Sequence, residues 1–208
     1  CILYKEKYTV YLEEDGLVNA IKNLEAKSAK MPSPSKEILQ SATAQIYNTY
    51  LQQNYWKFRD RTDTEDYVLE DIQTWSIPKF EEKISALYLA SLQNKDSKRV
   101  PIKEVKTLIY PGKNTDKLCT TLYDILVHRA IEYFKNERAY LSQPAYAFEL
   151  EDEAAFAATK TFMNHRFTTK DEQSKKYQTL LLFQELTDYV LAEGQVEKIV
   201  DIELNRLK

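Results

Sequence analysis

Glycine is scarce in this 208-residue chain, where Gly16, Gly112 and Gly194 are the only three. At the average usage of about 7%, a chain of this length would carry roughly 15 glycines. Phosphate-binding loops and two-residue hairpin turns need glycines close together, and these three lie far apart. The composition therefore argues against dinucleotide-binding folds, P-loop enzymes and most all-β folds.

Cysteine and histidine are almost as rare, with two of each. Cys1 and Cys119 are too few for a disulfide framework, and His128 and His165 are too few for a three-histidine zinc site. The HExxH pattern of zinc proteases is missing from the sequence. We predict no metal, no cofactor and no cofactor-binding residue.

Long apolar runs and concentrated positive charge are also missing. No apolar run approaches the length of about 20 residues that a bilayer-spanning helix needs, so we expect no transmembrane segment. The 29 basic and 32 acidic residues give a net charge of −3 and are spread along the chain. Nucleic acid is therefore not an expected partner, because binding to phosphates requires clustered basic residues.

Helical periodicity dominates what is present. Predicted helix-end signals are Ser33 as an N-cap, a capping box at Thr169–Glu172 and Gly194 as a C-cap glycine. A long ordered loop with short helical turns is predicted over residues 136–168. The predicted helices cover residues 1–13, 17–27, 34 to about 58, 67–72, 77–92, 120–135, 172–193 and 195–207.

These elements predict an all-α fold of antiparallel helical hairpins, stacked as a TPR-like solenoid or an irregular bundle with long ordered loops. The pair of helices over 171–208 is close in length to one unit of a helical repeat. We treat 1–208 as one all-α domain, with a possible subdivision near 136–168.

Candidate chemistry is sparse, and each candidate has a structural alternative. Asp124, His128 and Glu132 share one helix face, as a general base or partial metal site would require, or as a polar stripe with local hydrogen bonds. Cys119 could form a nucleophilic pair with His128 only if the fold brought the two side chains together. Ser33 and Lys36 fit SxxK, but the partner motifs of that enzyme class are absent and a helix cap explains the serine. We predict no catalytic and no metal-binding residue, and no enzymatic activity.

Tyrosine supplies 15 of the aromatic residues. Tyr47, Tyr50, Tyr88 and Tyr123 lie at helix-face spacing, which favours buried rings over a glycan- or peptide-binding strip. The aromatic and basic cluster 54–59 could form a partner surface or the end of a packed helix.

Three segments together resemble a known family. They are IYNTYLQQNYWKFRDRT (46–62), DIQTWSIPKFEEKISALYLASLQ (71–93) and TLYDILVHRAIEYF (121–134). They resemble the N-terminal helical region of very large bacterial α2-macroglobulin-like proteins of the Gram-negative cell envelope. The similarity covers roughly residues 40–135, and its motifs are tied to no known chemistry.

The resemblance implies a fragment of a longer exported protein, in the periplasm or cell envelope, that traps or inhibits proteases. The chain lacks the family's thioester motif CGEQ, since Cys1 and Cys119 are followed by other residues. It would therefore be a non-enzymatic helical scaffold or protein-interaction region. Its expected partners are other domains of the same long chain, with proteases and envelope proteins as further candidates.

The alternative is a helical ligand- or glycan-binding domain of a surface lipoprotein, with Cys1 as the lipid anchor. A signal peptide ending just before Cys1 would favour this alternative. Further helical sequence upstream would favour the fragment.

Overall fold

The computed structural model describes residues 2–59, 61, 68, 71–109, 112, 114–136 and 146–208. Within these ranges the regular structure is helical, and the one extended pairing is an isolated bridge between Pro101 and Thr121. The prediction of an all-α fold is confirmed. Among these helices, none is both long and apolar enough to cross a membrane.

The helices are numbered in chain order. Short 3₁₀ turns cover Ile72–Thr74, Lys95–Lys98, Lys106–Leu108 and Glu153–Ala155. The α-helices are α1 (Ile2–Leu12), α2 (Gly16–Ser28), α3 (Ser35–Gln53), α4 (Tyr55–Phe58), α5 (Ile77–Leu92), α6 (Ile102–Val105), α7 (Thr115–Leu118), α8 (Leu122–Lys135), α9 (Thr159–Asn164), α10 (Lys175–Ala192) and α11 (Glu197–Arg206).

The contacts of the chain divide it into two compact units, 1–100 and 101–208. This boundary lies upstream of the subdivision that the sequence suggested near 136–168. In the first unit, consecutive helices pack on each other: α1 on α2, α2 on α3, and α3 on α5. Phe80 lies at the centre of the core, with its ring 5.0 Å from Phe58 and 5.2 Å from Trp75. This aromatic core holds the amphipathic faces of α3 and α5 together.

The second unit is built on α8 and α10, which pack against each other. Nine residues of α8 are buried, among them Tyr123, whose ring meets that of Tyr189 edge-on at 4.9 Å. Both α9 and α11 pack on α10. In the described part of 136–168, the 3₁₀ turn and α9 are the short helical turns that the sequence predicted.

Several helix ends match their sequence signals. The Ser76 side chain accepts a hydrogen bond from the Lys79 amide at the start of α5. Thr121 and Asp124 form a capping box at the start of α8. Gly194 ends α10 with φ +68°, and the following amide donates back to the Val190 carbonyl at 3.0 Å. That left-handed backbone is why a glycine occupies this position.

Other helix ends differ from the prediction. Ser33 does not cap α3: the helix begins at Ser35, and the Ser33 hydroxyl accepts a hydrogen bond from the Asn94 side chain instead. The proposed capping box at 169–172 is also wrong. Thr169 bonds to the backbone of Asp171 in a local turn, and Ser174 caps α10 three residues later.

The predicted helix 34–58 is interrupted at Asn54, whose side chain donates to the Tyr50 carbonyl. The same carbonyl also accepts from the Asn54 backbone amide at 3.1 Å. The backbone of Asn54 leaves the helical conformation, with φ −112° and ψ +17°, and this separates α3 from α4. Half of the helix predicted at 67–72 lies outside the described residues, and Ile72 at its end begins a 3₁₀ turn.

Candidate functional site

The Asp124 carboxylate is fully buried and engaged in structural contacts. One oxygen, Oδ2, accepts hydrogen bonds from the backbone amides of Thr120 at 2.7 Å and Thr121 at 2.9 Å. The same oxygen pairs with the Lys198 ammonium at 2.8 Å, and both side chains are almost completely buried. Asp124 therefore caps α8 and ties it to α11, which leaves it poorly placed to orient a catalytic base.

His128 lies one turn further along α8, where burial lowers the pKa of its imidazole against the opposing effect of Asp124 and Asp201. Glu132 projects into solvent another turn on. Two clefts among the described residues have volumes of about 510 and 440 Å³, and Asp124, His128 and Glu132 line neither of them. The shared polar cavity that an enzyme built on these three residues requires is not formed by either cleft.

The other chemical candidates are also held in local contacts. Burial raises the pKa of the Cys119 thiol to about 11, so the nucleophilic thiolate is a minor species at neutral pH. Ser33 is bonded to Asn94, and Lys36 points into solvent. Within the described ranges, no group of three His, Cys, Asp or Glu side chains is arranged to hold a metal ion.

The helix-face tyrosines are core residues, as predicted: Tyr47, Tyr50, Tyr88 and Tyr123 are all buried. The cluster 54–59 has a buried side and an exposed side. Phe58 is fully buried, whereas Trp56 is 77% exposed, with the Arg59 guanidinium 5.1 Å from its ring centre. Trp56 is the aromatic side chain of this cluster that a partner could contact.

The α1 helix buries one carboxylate, that of Glu6, and exposes its tyrosine rings. Glu6 is its only buried residue, and it accepts hydrogen bonds from Lys27 at 2.7 Å and Asn23 at 3.0 Å. Burial alone would raise the pKa of Glu6, but these bonds and the Lys27 charge hold the pKa below its ordinary value. On the outer side lie Tyr4, Tyr8 and Tyr11, the tyrosine face, which are between half and three-quarters exposed.

The α11 helix likewise buries charged side chains and exposes apolar ones. Its buried residues are Lys198, Ile202 and Arg206. The Arg206 guanidinium donates to the carbonyls of Ala155 and Ala157 and lies 4.3 Å from the centre of the Phe162 ring. On the outer side is the aliphatic stripe, whose members are 53% to 65% exposed: Val196, Val200, Leu204 and Leu207.

Sequence reasoning missed both outer faces. The sequence predicts a helix over 195–207, and an apolar stripe on a helix usually faces inward, whereas the aliphatic stripe of α11 is exposed. The charged residues spaced four apart on the opposite side, Lys198 and Arg206 around Ile202, were the signal that this side is buried. Glu6, lying between the tyrosines of α1, was the corresponding signal at the other terminal helix.

The tyrosine face of α1 and the aliphatic stripe of α11 are thus both exposed on the terminal helices. The opposite side of each helix is fixed to the core by buried ionic side chains. Comparison of the chain with protein-family models, with curated proteins and with solved structures finds no match. Membership of the α2-macroglobulin-like family therefore stays a prediction from the three quoted segments.

Proposed function

We propose that this chain is a non-enzymatic helical interaction region of a cell-envelope α2-macroglobulin-like protein, exported to the periplasm. Its partner is another domain of the same long chain, which docks on the tyrosine face of α1. The observation that carries the proposal is this face: three tyrosines on one side of a helix whose only buried residue is Glu6.

The chemistry of the face suits a protein partner. Tyrosine presents a large, rigid ring with a polar end, and it is enriched among the residues that dominate binding energy in protein interfaces. The pairing of Glu6 with Lys27 holds α1 against α2, so the three rings are presented on a fixed backbone. A docked domain would therefore bury these rings at low cost in conformational entropy.

The proposal extends to the architecture. Consecutive packing of α1, α2, α3 and α5 supports an arrangement of stacked hairpins of the repeat type. In such arrangements each helical layer covers the apolar face of the layer before it. The open tyrosine face is where a further layer from another domain would pack.

The non-enzymatic part of the proposal is supported by the state of the candidate groups. Asp124 is engaged in a cap and an ion pair, and Cys119 has a raised pKa. His128 lies between a buried carboxylate and an exposed one, and neither of the two clefts described above is lined by it.

The test is binding in trans between this chain and the separately expressed domains of the same reading frame, measured by calorimetry. We expect the Tyr4→Ser, Tyr8→Ser double variant to weaken binding about 30- to 1,000-fold, since interface tyrosines commonly contribute about 1–2 kcal/mol each. Tyr146→Ser is the matched control, because Tyr146 is equally exposed but lies outside α1. It should bind within about twofold of the native chain.

Unchanged binding by the α1 variant would contradict docking at the tyrosine face. A reading frame without macroglobulin-type domains would contradict the family assignment.

The alternative function, a glycan-binding domain of a surface lipoprotein, is favoured by the same observation, because exposed tyrosine rings also present flat surfaces to sugars. Cys1, its expected lipid anchor, lies outside the described residues. Titration with oligosaccharides separates the two: saturable binding that the α1 double variant abolishes, together with a signal peptide ending before Cys1, would support the lipoprotein.

A further inference from the structure

We propose that α11 is a self-association surface: its aliphatic stripe packs antiparallel against the stripe of a second copy of this chain. The inference goes beyond the proposed function because it uses α11 and not the tyrosine face of α1. Its test can therefore fail while docking at α1 succeeds, and the reverse.

The first observation is that α11 exposes its apolar side and buries its charged side. The stripe is more than half exposed along its whole length, and the opposite side of α11 is fixed by Lys198 on Asp124 and by Arg206 on two backbone carbonyls. These buried charges have found their partners inside the unit, so rotating α11 to bury the stripe would break them. The apolar side of α11 therefore stays exposed to water unless another surface packs on it.

The second observation is that the stripe is self-complementary. In an antiparallel pair related by a twofold axis near Ile202, Val200 of one copy lies opposite Leu204 of the other. In the same register, Val196 lies within one residue, about 1.5 Å along the helix axis, of the level of Leu207 in the partner copy. A twofold interface requires that the same patch fit itself in this way. The four members of the stripe satisfy the condition with one register.

The third observation is the charge beside the stripe. Glu197 and Lys208 are both exposed. Glu197 is the first residue of α11, and Lys208 lies two residues beyond its last. If the helical geometry is continued to Lys208 at 100° per residue, the two lie within about 20° of each other on one edge. The antiparallel register that pairs Val200 with Leu204 also places each Glu197 beside the Lys208 of the other copy. In a parallel pair, Glu197 of one copy and Lys208 of the other would lie on opposite sides of the interface and about 16 Å apart along the helix axis. The charge pairing therefore favours the antiparallel arrangement.

The stripe is short, about 16 Å from Val196 to Leu207. Four side chains from each copy bury less than the roughly 800 Å² per partner of a standard interface. The dimer should therefore be weak, with a dissociation constant of about 10–100 µM.

Sedimentation equilibrium of the full chain between about 1 µM and about 1 mM tests the association. We expect a monomer–dimer equilibrium for the native chain and at least a tenfold weaker one for Leu204→Asp. Tyr146→Asp, a substitution at an equally exposed site outside α11, should leave it within twofold. Circular dichroism of each variant confirms that the fold is retained, as expected for changes at exposed positions.

Charge reversal tests the register. Glu197→Lys and Lys208→Glu should each weaken the dimer about three- to fivefold, and the double variant should restore it within twofold. An effect of net charge alone would differ, because the chain carries −3: Glu197→Lys would then strengthen association while Lys208→Glu weakened it.

A chain that stays monomeric to about 1 mM, or a dimer that tolerates Leu204→Asp, would overturn the proposal. A dimer sensitive to Leu204→Asp in which the double charge variant shows no recovery would overturn the antiparallel register.

Discussion

At the scale of single residues, the buried ionic groups have assigned partners. Glu6 is held by Lys27 and Asn23, while Asp124 is held by Lys198. Because the pKa of Glu6 is lowered in the folded state, its contact stabilises the fold above the ordinary carboxyl pKa of 4.5 and is lost as the pH falls through the lowered value. These pairs fix which side of each terminal helix faces inward.

Replacing Lys198 with methionine should cost about 3 kcal/mol of unfolding free energy, because Asp124 would remain buried without a cation. Adding Asp124→Asn should recover part of this loss, since the amide oxygen can still accept from the Thr120 and Thr121 amides. Urea unfolding followed by circular dichroism measures both. Lys103→Met, at an exposed lysine of α6, is the control and should stay within about 0.5 kcal/mol. Additive losses in the double variant would show that the ion pair is not the cause.

At the scale of elements, the tight turn between α1 and α2 depends on the absence of a side chain at Gly16. A Cβ atom there would lie 2.4 Å from the Thr9 carbonyl oxygen and 2.7 Å from the Val10 Cα. Both are backbone atoms of the preceding helix, so they could give way only if α1 moved. The turn therefore sets how closely the two helices can approach.

Gly16→Ala should lower the unfolding free energy by about 2–3 kcal/mol, although alanine is the better helix former by about 1 kcal/mol. Gly112→Ala is the matched control, because a Cβ at Gly112 would meet only the Thr115 hydroxyl at an ordinary 3.6 Å. We expect the control to change stability by less than about 0.5 kcal/mol in urea unfolding. Equal effects of the two substitutions would mean that α1 adjusts freely to a side chain at the turn.

At the scale of the whole molecule, the chain forms two compact units, each with its own aromatic core. Phe80 lies at the centre of one core, and Tyr123 and Tyr189 meet in the other. Units with separate cores usually open with separate free energies. The single domain that the sequence suggests would instead open as one.

Hydrogen exchange on the full chain carrying Gly16→Ala distinguishes these two behaviours. We expect amides of α2, α3 and α5 to lose protection, while those of α8 and α10 keep the protection of the native chain. The loss should correspond to the 2–3 kcal/mol expected for this substitution, that is, about 30- to 150-fold faster exchange in the first unit. A uniform loss over both units would support one cooperative domain.

The sequence predicted the helical class and most helix spans because those depend on local periodicity and on end signals such as Gly194. It failed where contacts between residues distant in sequence matter. Ser33 does not cap α3, which begins at Ser35, and the Ser33 hydroxyl accepts a hydrogen bond from Asn94 instead. The outward direction of the α11 stripe also depended on remote partners, since Lys198 faces inward only because Asp124 of α8 is there. The spacing of residues along the sequence indicates an apolar stripe on a helix, but it does not indicate which side of that helix is buried.

The anchoring of α11 by Lys198 and Arg206 has a kinetic consequence. A surface whose backbone is already fixed needs no rearrangement before contact, so a partner should bind it at the ordinary rate of about 10⁵–10⁷ M⁻¹s⁻¹ for pre-formed protein surfaces. Changes along Val196, Val200, Leu204 and Leu207 should then alter mainly how long the complex lasts. Substitutions that weaken the contacts of Lys198 and Arg206 would slow formation of the complex.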